Sequence, residues 1–118
     1  MESRKNLVTH LIEHQEPISR LVQKLKVYGW DCDEELVVLT PAHVVKVLDK
    51  YLANEINEIQ VQEWANAIER REDIGFQEEY SSTLDEMIFW LASPNINFPI
   101  SVELAQRVIR NLNNNSVN

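Results

Sequence analysis

The chain has 118 residues, a single cysteine, two glycines and a formal net charge of −8. That length fits one domain whose core can stand without disulfides or metals. A lone cysteine admits no intrachain disulfide, and two glycines leave no Gly-rich phosphate loop and little material for a turn-rich β-fold.

The charge is unevenly placed. Residues 1–30 carry a net +2, and residues 31–118 carry a net −10. An acidic surface of that size repels phosphate backbones and anionic lipid, so nucleic acid and membrane are not expected partners, whereas a basic protein would be steered towards it. No apolar run approaches bilayer length, and the N-terminal stretch lacks the h-region of a secretory signal, so a cytoplasmic location is expected.

In chain order, Leu7, Val8, Leu11, Ile12, Ile18, Leu21, Val22 and Leu25 recur at helical spacing. Pro17 falls within this run and lacks an amide donor, which predicts a kink, or one helix ending near His14 and a second starting at Pro17. Gly29 offers a stop. Leu36 to Leu39 reads as a short extended piece. Thr40-Pro41 then opens a helix as cap and first residue, with Val44, Val45, Leu48 and Leu52 inward. Asn57 is the next cap, with a staple between Ile56 and Val61, and Val61, Trp64, Ala65 and Ile68 form one face.

The following helix carries Tyr80, Leu84, Met87, Ile88 and Leu91 inward, and "SPNINFP" breaks it. Ser101 caps a last helix with Leu104, Ala105, Val108, Ile109 and Leu112 inward. The expected fold is all-α: a compact single-domain bundle of five or six helices over residues 1–112, followed by a disordered polar tail at 113–118.

Several residue sets invite a chemical reading. His10 to His14 reads "HLIEH", the inverted zinc-hydrolase pattern, but a third protein ligand and a substrate cleft are wanting in so short a chain. Two histidines flanking a core stripe is the plainer account. Cys32 with His43 lacks an orienting third group, and the acidic "DCDEE" around the cysteine disfavours its thiolate. That same stretch fails the calcium-loop register for want of a central glycine. No catalytic residue, metal or cofactor is therefore expected, and the chain reads as a binder and not as an enzyme. Trp64 lies on a core stripe, Trp90 is offset from one, and Trp30 follows the Gly29 stop. An exposed tryptophan beside carboxylates would make an interface anchor.

The segment "IERREDIGFQEEY" (68–80) is dense in charge. Arg70 and Arg71 suit the negative end of one helix, and Glu78 and Glu79 suit the positive start of the next. Asp73 reads as a cap or turn residue. Ile74 and Phe76 fold inward around Gly75, which permits a sharp bend.

Gly29-Trp30-Asp31, Trp64-Ala65-Asn66, Arg71 to Phe76 and Leu91-Ala92-Ser93-Pro94 together resemble a family of short acidic helical bacterial proteins of uncharacterised function. The resemblance covers roughly residues 28–112, and Ser93 departs from an expected Asn. Proteins of this build are similar to immunity proteins of toxin and contact-dependent inhibition systems. The resemblance implies that the chain binds a cognate toxin domain and blocks its active site. On that reading Asp31, Asp33, Glu34 and Glu35 in one bend, with Glu69, Glu72, Asp73, Glu78 and Glu79 at the other, would contact a basic, nuclease-like partner. The alternative is a structural role as a helical homodimer.

Overall fold

The structure, a computed structural model, describes residues 3–15, 17–28, 34–69 and 71–115. Helix α1 (Arg4–Glu13) begins at Ser3, whose hydroxyl accepts the Asn6 N–H at 3.1 Å. It ends where His14 turns left-handed, at φ 53°. The chain then starts α2 (Ile18–Leu25) directly after Pro17, so the proline separates two helices and does not kink one. A 3-10 turn, Lys26–Tyr28, closes this pair. The expected Gly29 stop, together with Trp30, Asp31, Cys32 and Asp33, lies outside the described residues.

Strand β1 (Val37–Leu39) leads into α3 (Pro41–Leu52). Its start is a capping box of unusual composition: the Thr40 N–H donates to Nδ1 of His43 at 2.9 Å, a place normally taken by Glu or Gln. Helix α4 (Glu58–Glu69) carries the ordinary version, with Asn57 N–H donating to Gln60 Oε1 and Gln60 N–H to Asn57 Oδ1, both at 2.9 Å. Strand β2 (Ile74–Phe76) follows, then a single 3-10 turn, Glu78–Tyr80, and α5 (Ser81–Ala92). The last helix, α6 (Val102–Asn115), has its Leu104 N–H capped by the Ser101 hydroxyl at 3.1 Å. It runs three residues past its expected end, because the buried Leu112 anchors the turn that carries the helix on.

Among the described residues there are six α-helices and two short strands, an all-α bundle in the main. The strands pair in parallel, Val37 with Ile74 through Leu39 with Phe76, and α3 and α4 form the crossover between them. Gly75 was expected at a bend and lies mid-strand instead. Because it has no Cβ, the Glu35 carboxylate occupies the space that one would fill.

The helical spacing placed the core well: Leu7, Val8, Leu11 and Ile12 of α1 and Val61, Trp64, Ala65 and Ile68 of α4 are all buried. On α3 the buried set is Val44, Val47 and Leu48, so Val47 takes the inner position expected for Val45, which is half-buried. The α-carbon radius of gyration is 13.7 Å, close to the ~13.5 Å of a single compact domain of this length.

Trp64 is the largest wholly buried side chain, and its indole Nε1 finds no acceptor among the described residues. Its contribution is therefore packing and apolar burial, free of any polar anchor. Truncation of Trp64 to Ala is expected to cost about 3–5 kcal/mol in urea unfolding, whereas Trp64→Phe, which also removes the unpaired N–H, costs markedly less. Equal losses for the two would refute this account.

Candidate docking surface

Asp73 organises the corner between α4 and α5. Its side chain is wholly buried and takes three N–H donors: Arg71 Nε on one oxygen, and Arg71 Nη2 and Arg4 Nε on the other, each at 2.9 Å. Arg4 also donates through Nη1 to the Tyr28 carbonyl at 3.3 Å, which ties the start of α1 and the end of the first helix pair to the same carboxylate. Burial by itself would raise the Asp73 pKa, but the hydrogen bonds and charges of Arg71 and Arg4 outweigh it and hold the carboxyl below its ordinary value.

The Asp73 backbone is engaged too. Its carbonyl accepts from Leu36 N–H at 2.8 Å and Val37 N–H at 3.3 Å, which begins the β1–β2 pairing. This pairing sets Leu36 beside Asp73. Glu34 and Glu35 precede β1 and Glu72 precedes β2 at the same end of the strand pair, and all three are exposed. Glu69 is exposed on the last turn of α4. At the opposite, carboxyl end of the strands, the Gln77 N–H donates to Leu39 O at 2.9 Å, and exposed Glu78 and Glu79 follow.

Asp73 itself must be removed from the expected contact set, since a wholly buried carboxylate held by two guanidinium groups has no face to offer a partner. Arg71, expected as a counter-charge at the end of α4, is the inner clamp of this ion pair and is 7 % exposed. Arg70, Asp31 and Asp33 lie outside the described residues.

Of the two histidines of "HLIEH", His10 lies in the last turn of α1 and His14 is its left-handed cap. Its carbonyl accepts from Lys50 Nζ at 2.9 Å, its ring is buried, and Nε2 has no acceptor or donor among the described residues. Among the described residues no three His, Cys, Asp or Glu side chains converge as a metal site. A cleft of ≈ 540 Å³ opens between α2 and α4, with Ile18, Val22 and Ala67 apolar and Glu63, Asn66 and Arg71 polar. Arg71 reaches it while held by Asp73 through Nε and Nη2. Among the described residues no helix is long and apolar enough to cross a membrane.

The sequence reading missed the aromatic group at the far end of α5. Trp90 is half-buried and meets Phe98 edge-on at 5.1 Å, and the Arg107 guanidinium stands 5.6 and 5.5 Å from the two ring centroids. The signal was the offset of Trp90 from the inner stripe. Its partners arrive from a loop and from α6, which periodicity does not connect. The chain matches no protein-family model, no curated protein and no solved structure.

Three groups make folding sensitive to acid. Burial lowers the pKa of His14, aided by Lys50 and opposed by its own backbone hydrogen bond and by Glu63. Burial likewise lowers that of His43, aided by Lys46 and opposed by Glu13, and the capping bond to Nδ1 requires an unprotonated nitrogen. The unfolded chain thus binds these protons more readily. Stability should be full above the ordinary histidine value of 6.5 and decline as pH falls below it. Asp73 adds a second loss, from its ordinary 3.8 down through its lowered folded value. Urea midpoints across this range should fall in two steps. His43→Gln, which keeps a capping side chain, is expected to shrink the upper step. Asp73→Asn should abolish the lower one and cost about 3–5 kcal/mol at neutral pH, because it leaves two arginines without their carboxylate.

Proposed function

We propose that the chain is a toxin-immunity-type binding protein that neutralises a cognate basic, nuclease-like domain by covering its active site. The observation that carries this reading is the parallel pairing of β1 with β2. Glu34 and Glu35 precede β1 and Glu72 precedes β2, so the three exposed carboxylates come at the same end of the strand pair, although nearly forty residues separate them in the chain. Carboxylates grouped in this way present a field resembling that of a phosphate backbone, to which a cationic nuclease cleft is complementary. Their role is docking, with no bond-making chemistry of their own.

Isolation of the chain with its partner from the native host, at low and at high salt, tests this. A basic protein retained at roughly 0.05 M salt and released well below 1 M is the expected result, since surface electrostatics are screened over that range. Recovery of no basic protein at low salt would sink the proposal. With the partner in hand, Glu72→Lys combined with Glu79→Lys is expected to slow association about tenfold at low salt while changing dissociation far less.

A further inference from the structure

The outward face of α5 continues the acidic surface and ends on exposed aromatic rings. Its inner residues, Leu84, Met87, Ile88 and Leu91, are buried, which leaves Ser82, Asp85, Glu86 and Phe89 as one exposed stripe at helical spacing. Glu78 and Glu79 lead into it from the preceding turn. From Glu78 to Gln106 the chain carries five carboxylates and no lysine or arginine.

At the far end of the stripe, Phe89, Phe98 and Ile96 are 41 %, 39 % and 73 % exposed. They stand on a fixed base. The Asn97 side-chain amide donates to the Ser93 carbonyl at 2.9 Å and the Phe89 carbonyl at 3.4 Å, fastening the 93–101 loop to the end of α5, while Arg107 covers Trp90 and Phe98. Rings held in place lose little freedom when a partner covers them, which is the property of interface anchors. Twelve helical residues span about 18 Å, so the stripe reaches across much of one side of a standard-size interface.

We propose that this face of α5 is the main docking surface for a basic protein, with Glu78, Glu79, Asp85 and Glu86 set against its lysines and arginines and Phe89 and Phe98 entering an apolar depression beside them. This rests on the basic-partner reading above and adds to it where the apolar grip lies. Charge chooses the occupant: a second copy docked through the same face would set like-charged stripes against each other, whereas a cationic surface is attracted along their whole length.

The test uses the full chain, isotope-labelled for amide resonances, and two synthetic peptides of equal length and equal positive charge, an amphipathic lysine–leucine helix and a lysine–serine peptide. The lysine–leucine peptide is expected to shift the amides of residues 78–98 and to bind about tenfold more tightly than the lysine–serine peptide. Phe89→Ser with Phe98→Ser should erase that difference. Asp85→Lys with Glu86→Lys, at exposed positions that leave folding intact, should weaken both peptides. Shifts confined to residues 34–39 and 71–76, or equal affinity for the two peptides, would overturn the α5 assignment and leave the basic-partner reading standing. Failure of both peptides to bind at low salt would overturn both readings. Dilution-dependent shifts on α5 without peptide would assign the face to a second copy and overturn the proposal.

Discussion

The buried carboxylate of Asp73 is the point on which the architecture turns. Taking an ionised group out of water is prohibitive unless it is both paired and hydrogen-bonded, and three guanidinium N–H bonds at 2.9 Å meet that requirement. Arg71 comes from two residues away and Arg4 from sixty-nine, so one side chain fixes a local corner and closes a polar contact across most of the chain. The carbonyl of the same residue starts the strand pairing. Side chain and backbone together hold the start of α1, the entry to β1 and the exit of α4 in one place.

The acidic surface follows from that constraint. Two strands far apart in the chain, each preceded by exposed carboxylates, are brought edge to edge by a ladder of only three residue pairs. Such a short ladder gains little by itself; its neighbours fix it, with Leu39 wholly buried on one strand and Ile74 6 % exposed on the other. The negative charge is thereby sorted. One carboxylate is neutralised inside by two arginines, and the exposed ones are left on the rim and along α5. The carboxylate that builds the fold is thus distinct from those exposed to solvent.

The surface has two physically different parts. Around the β1–β2 edge Glu34, Glu35 and Glu72 are exposed, with half-exposed Val38 among them; on the proposed reading their charge would act at long range and in a salt-sensitive way, raising encounter rates. At the end of α5 it is aromatic, with Phe98 set against Trp90 and Arg107, and on the proposed reading such a contact would lengthen residence. α5 connects them because its inner stripe packs on α4 and turns the opposite side of the helix to solvent. The orientation of the charged and aromatic residues is thus a by-product of core packing.

By itself the sequence determined whatever rests on local rules. Helical periodicity placed Leu7, Leu11, Trp64, Ile68, Leu84 and Leu91 in the core, and Pro17, Thr40, Asn57 and Ser101 marked four helix starts, because spacing and capping act within a few residues. It also determined the excess of negative charge. Tertiary structure alone decided what depended on distant partners: that Asp73 turns inward to Arg4, that Ile74 to Phe76 is a strand because Val37 to Leu39 lies beside it, that His43 is a cap, and that Phe98 and Arg107 gather on Trp90. A carboxylate in a charge-rich bend looks the same whether it meets water or two guanidinium groups, and only the folded chain brings those groups within 3 Å of it.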